Sequence, residues 1–168
     1  PRVSKMGNEM GLKGGCCLDI TDRDTDGKEC DISRPERRKG AEEIIKRDKL
    51  VPLVGSLLWT DWSATMNLNW HRFTAQENHF RMTAAREHLA LCIEMYKLQR
   101  SEGRNFIHEH PLSAGSWSED NMKSLQHLPG IIRVHTHMCE FGMKTKGSDG
   151  VGARVMKPTG FLTNSPCI

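Results

Sequence analysis

The sequence predicts an α/β fold: a Rossmann-like, mostly parallel sheet flanked by helices. Three observations carry that prediction. Strand-like and helix-like segments alternate along the 168 residues. The run Leu50-Val51-Pro52-Leu53-Val54 is apolar throughout and stops at Gly55-Ser56, the pattern of a buried parallel strand. Thr74 to Arg100 carries the strongest helical stripe, with apolar positions recurring at i+3 and i+4. Strands alternating with helices of this length imply βαβ units.

Each element has its own warrant. Cys16 to Ile20 is a short apolar run followed by an Asp-rich turn. Ser33 can cap a helix over Pro35 to Lys49, where Ala41, Ile44 and Ile45 form a stripe on a charged background. After the Leu50 strand, Thr60 to Phe73 reads as an aromatic loop, with Trp59, Trp62, Trp70 and Phe73. The long helix aligns Ala84, Ala85, His88, Leu89, Leu91, Cys92, Met95 and Leu98, and Gly103 supplies its stop. Asn105 to Glu109 is the next strand. Ser116 to Leu128 is a helix ended by Pro129-Gly130, and Ile131 to Cys139 is another strand. A glycine-rich loop from Gly142 to Gly152 precedes a last strand near Gly160 to Thr163.

Composition bounds the class. Hydrophobic residues make up 37% and charged residues 27%, values of an ordinary globular domain rather than a disordered, collagen-like or coiled-coil chain. No apolar run approaches the roughly 20 residues that cross a bilayer, so no membrane span is expected. The 24 Lys and Arg against 21 Asp and Glu leave a charge of +3, too small to demand a nucleic-acid partner. The length suits one domain. The chain opens on Pro1 without Met and closes on Ile168, so residues 1–168 are expected to be most of one domain cut from a longer polypeptide. No basic stretch followed by an apolar region marks a signal peptide. The six cysteines are scattered and form no C-x-x-C pair, which favours reduced thiols and an intracellular compartment.

The motifs divide into weak and informative. Asp22 to Gly27 opens like a calcium loop, but its twelfth position is Ser33 rather than a bidentate Glu, so an Asp/Gly turn is preferred. His108 and His110, and likewise His135, His137 and Cys139, share faces on their strands. Their spacing is not that of a zinc knuckle or helix, and no metal site is assigned. Arg34, Arg37, Arg38, Lys39, Lys46, Arg47 and Lys49 are interleaved with Glu36, Glu42, Glu43 and Asp48. That mixture marks a solvated face, with Arg37 and Arg38 as the candidate phosphate contacts. The tryptophan-rich loop could stack bases. In an open sheet, ligands bind at the carboxyl ends of strands. The residues at such ends are Asp19, Asp31, Gly55-Ser56 and Glu109-His110-Pro111.

This ordered set resembles a module of Copia-type retrotransposon polyproteins. The residues that carry the likeness are Leu18-Asp19-Ile20-Thr21, Cys30-Asp31-Ile32, Gly55 to Ser63, Phe106 to Pro111, Ser116-Trp117 and Lys157 to Ser165. The module is in turn similar to a degenerate cytosine-5 DNA methyltransferase domain. By that resemblance Asp19 would hold the ribose of S-adenosylmethionine, Asp31 would lie near its adenine, and Glu109 would be the carboxylate that steadies a flipped base. The family's nucleophile loop carries a proline and a cysteine where this chain has Leu57 and Trp59. An indole cannot add to a cytosine ring as a thiolate does. The first strand and its glycine turn are missing as well, and Glu109 is at most a vestigial catalytic residue. The resemblance also implies that another strand inserts between the Phe106 and Ile131 strands and separates their two histidine groups. The resemblance therefore implies a non-catalytic fragment that retains no cofactor. Its role would be interaction, with nucleic acid, with other polyprotein domains or with assembly subunits. The alternatives are an S-adenosylmethionine-dependent DNA methyltransferase completed by flanking segments, and a structural subunit of a larger complex.

Overall fold

A computed structural model describes residues 2–11, 13–15, 27, 35–58, 60–145 and 152–167. The expected Cys16 to Ile20 strand, the carboxylates of Asp22, Asp24 and Asp26, the Ser33 cap, Asp19, Asp31 and Trp59 lie outside the described residues. The chain divides into two compact units, Pro1–Val51 and Pro52–Ile168.

The first unit contains α1 (Arg2–Glu9), which the sequence reading did not anticipate, and α2 (Pro35–Asp48). The segment after α1 folds back on it: the Gly14 N–H donates to Asn8 Oδ1 at 2.7 Å, and the Ser4 hydroxyl donates to the Gly15 carbonyl. In α2 the i, i+4 pair Ala41 and Ile45 is buried. Lys46 and Arg47 occupy its last turn, where cations complement the helix dipole.

The second unit is built on four strands: β1 (Pro52–Ser56), β2 (Asn105–Pro111), β3 (Ile132–His137) and β4 (Pro158–Thr163). Their order is β1-β2-β4-β3. β1 and β2 are parallel, whereas β4 runs antiparallel to both β2 and β3. The α/β class holds, but the sheet is mixed rather than mostly parallel. The reason lies between β3 and β4. A parallel return needs a crossover of a dozen or more residues, usually a helix. Among its described residues the segment after β3 instead forms a 3-10 turn, Met138–Phe141, and an antiparallel bridge between Lys144 and Arg154, and its glycine-rich sequence has no apolar helical stripe. The chain therefore comes back antiparallel and inserts between β2 and β3.

The long helix α4 (Ala75–Ser101) starts at a complete capping box: the Thr74 side chain accepts from the Glu77 N–H, and the Glu77 carboxylate accepts from the Thr74 N–H. α4 and α5 (Asp120–Gln126) pack on one face of the sheet. There Leu57, Leu89, Ile93, Tyr96, Phe106, Trp117, Met122, Leu125 and Leu162 form the core. The expected Ser116 helix begins instead as a 3-10 turn, Gly115–Ser118, because the chain must first bring Trp117 onto the sheet. The expected aromatic loop is also ordered into short turns: Thr60–Trp62, α3 (Ala64–Asn67) and Trp70–Arg72.

The opposite sheet face presents Val54, Ile107, Glu109, Phe161, Val134 and Ile132, as strand alternation and register require. Val54 is 41% exposed, and Ile132 and Val134 are each 40% exposed. Among the described residues the strand expected to be buried on both faces pairs on one side only, with β2, and has one covered face. Pro52 is the first residue of β1, a position that tolerates its missing N–H.

Candidate functional site

Glu109 lies toward the carboxyl end of β2 on the outward face. Parallel register places it opposite Ser56, the last residue of β1. The Ser56 hydroxyl donates to Glu109 Oε2 at 2.8 Å. Lys157, immediately before β4, brings its ammonium to 3.5 Å from Oε1. That contact is a charge attraction without hydrogen-bond geometry, and Oε1 is left without a hydrogen-bond partner among the described residues. A carboxylate so compensated can accept hydrogen bonds from a polar ligand. It is a poor base for the serine, whose hydroxyl is far less acidic than a carboxyl group.

The position of Glu109 is fixed from behind by its neighbours on β2. Alternation turns His108 and His110 into the core, where both are fully buried. His108 Nδ1 lies 2.9 Å from the Tyr96 hydroxyl on α4, and His110 Nδ1 lies 2.6 Å from the Ser116 hydroxyl. The Trp117 indole N–H donates to the Pro111 carbonyl at 2.8 Å, anchoring the end of β2. Its ring meets the His108 ring at 5.3 Å and 85°, an edge-to-face contact, and the Arg133 guanidinium lies 3.9 Å from its centroid.

Two glycines make this packing possible. A Cβ at Gly55 would overlap the Tyr96 hydroxyl, and one at Gly160 would stand 2.9 Å from Trp117 Cζ2. Gly55 lets Tyr96 close on β1 while reaching His108. Gly160 lets the indole lie flat on β4.

Electrostatics make this backing layer inert. Burial, reinforced by His110 and Arg133, pushes His108 down to about 3. Burial also pushes His110 down to about 4, with Glu109 opposing the shift and Lys157 adding to it. Both imidazoles are neutral at pH 7, and each leaves its Nε2 without a hydrogen-bond partner among the described residues. Cys92 on α4 is pushed up to about 12 by burial, against a hydrogen bond to Tyr96 that lowers it. A thiol held in that state is not a nucleophile.

The remaining candidates are described within their own units. Arg37 and Arg38 lie on α2 in the first unit; both are half-buried and each already interacts within the chain. The two histidine groups are separated by β4: His110 and His135 both pair with Gly160, from opposite sides. Among the described residues no three His, Cys, Asp or Glu side chains are grouped to hold a metal. Asp19 and Asp31, which the resemblance assigns to S-adenosylmethionine, lie outside the described residues.

Sequence reasoning gave no role to Lys157, Tyr96 or Arg133, and it placed Ser56 at a strand end without pairing it with Glu109. Ser56 and Glu109 are 53 residues apart, and only the β1–β2 register joins them. Among the described residues no helix is long and apolar enough to cross a membrane. Comparison with protein families, with curated proteins and with solved structures finds nothing that matches the chain.

Proposed function

We propose that this chain is a non-catalytic, methyltransferase-like module of a Copia-type retrotransposon polyprotein that acts by binding nucleic acid or neighbouring protein. The observation that carries the reading is the state of Glu109. The carboxylate is compensated by Ser56 and Lys157 on a sheet face that presents Val54, Phe161 and Val134 around it. Apolar side chains left partly open on a sheet suit a binding surface. Trp59, standing where a methyltransferase loop carries its thiol, agrees with a binding role. Support for a Rossmann-like ancestry comes from β1, β2 and β3, which all run in one direction, with β4 as the antiparallel intruder.

The rival is an S-adenosylmethionine-dependent enzyme completed by flanking segments, and one observation favours it: Glu109 is held near a strand's carboxyl end, where ligands bind in open sheets. Isothermal titration of the 168-residue chain with S-adenosylmethionine separates the two readings. The proposal expects heats of dilution only. Saturable binding at micromolar concentration supports the enzyme.

A further inference from the structure

We infer that the groove between the Trp70–Arg72 turn and the first turns of α4 binds single-stranded nucleic acid. Phe80 and the Arg81–Phe73 stack would serve as base platforms, with Arg72 as a phosphate contact. The inference rests on the binding role proposed above and names the ligand and its place.

Two open hollows of about 450 and 480 Å³ adjoin at Phe73 and Arg81, which line both. Each falls within the range of small-ligand clefts, roughly 300–1,000 Å³. Phe80 is 74% exposed on its wall. Phe73 is braced by Trp70, edge-on at 6.5 Å, and carries the Arg81 guanidinium 4.8 Å from its centroid. Arg81 is in turn held by Asp61, with its Nε donating at 2.9 Å. The guanidinium is thus presented as a fixed plane, a surface on which bases stack as they do on aromatic rings.

Charge selects the ligand. Asp61 is neutralised by Arg81, whereas Glu77, on the wall of the second hollow, accepts from the Thr74 N–H at 2.7 Å and the Thr74 hydroxyl at 2.8 Å and keeps its negative charge. Exposed Arg72 has no side-chain partner among the described residues, and the first hollow, which it lines together with Arg81, has no carboxylate on its wall, so a phosphate is placed there and not beside Glu77. Rings alternating with guanidinium groups complement bases alternating with phosphates. An aliphatic helix face would leave the Arg72 cation desolvated and unpaired.

The test is fluorescence anisotropy of the full chain with a labelled oligothymidine of about 12 nucleotides, against a duplex of the same length. The single strand is expected to bind more tightly, and binding should weaken steeply between about 50 and 200 mM salt. Phe80→Ala should lower affinity about tenfold. Arg72→Glu should lower it at least as far and flatten the salt dependence. Both side chains are exposed, so circular dichroism should match the parent.

No binding by the parent, or equal affinity in both variants, overturns the inference. Binding lost only in Arg37→Glu with Arg38→Glu overturns the groove while sparing a nucleic-acid role. Assembly with flanking polyprotein domains but not with oligonucleotide overturns the groove and makes the partner a protein. Micromolar binding of S-adenosylmethionine overturns instead the reading on which the inference rests.

Discussion

Acidification should destabilise the second unit through His108 and His110. In the fold these imidazoles sit at about 3 and about 4, below the ordinary value of 6.5. The sign follows from proton linkage. Between pH 6.5 and those lower values the unfolded chain binds more protons than the folded one. The stabilisation is therefore complete above pH 6.5 and is lost as the pH falls through that window. Each histidine costs about 1.4 kcal/mol per pH unit there. From pH 7 to pH 5 the loss is about 2 kcal/mol per residue and about 4 kcal/mol for the pair. Against a typical total of about 5–15 kcal/mol, that is a large fraction.

Urea unfolding followed by tryptophan fluorescence at pH 7, 6 and 5 measures the loss, because Trp117 reports the environment of both rings. His108→Gln keeps a polar partner for Tyr96 while removing one titrating group, and it should roughly halve the slope. Stability unchanged between pH 7 and pH 5, or an equal slope in parent and variant, would refute the reasoning.

Further outcomes follow from the packing. Gly160→Ala, which sets a Cβ 2.9 Å from Trp117 Cζ2, should cost about 1–3 kcal/mol in urea unfolding. Gly55→Ala should cost at least as much, because its Cβ displaces the Tyr96 hydroxyl from His108. Thr74→Ala removes the capping box of α4 and should cost about 1 kcal/mol. In native protein near pH 8, peptide mapping after iodoacetamide treatment should find exposed Cys167 alkylated and Cys92 unmodified, with Cys92 reacting only in denaturant.

The sequence was legible where a pattern is local. The α4 stripe, with Thr74 ahead of it and Gly103 behind, located the longest helix to within a residue or two of its ends. The alternation of His108 and His110 placed them together on one face. Periodicity missed what depends on long-range pairing, and it was the resemblance that implied a strand between the Phe106 and Ile131 strands, where β4 lies. The order β1-β2-β4-β3 is set by how the chain returns after β3, and periodicity carries no such information. The partners of Glu109 are a consequence of that order: Ser56 arrives through parallel register and Lys157 through the inserted strand. Two clues were present in the letters. Pro52 inside the Leu50 run argued for an edge strand rather than a doubly buried one. The absence of a helical stripe between Met138 and Lys157 argued against a parallel return. Tyr96 and Trp117, which lock β2 in place, are ordinary core aromatics until Gly55 and Gly160 are seen beneath them.

The central claim is binding without catalysis. Its most direct test is incubation of the chain with duplex DNA and S-adenosylmethionine carrying a tritiated methyl group. The account predicts incorporation no greater than in a protein-free control, because Glu109 is charge-compensated and Trp59 replaces the thiol. Tritium recovered in cytosine, above that control and proportional to protein, would contradict it.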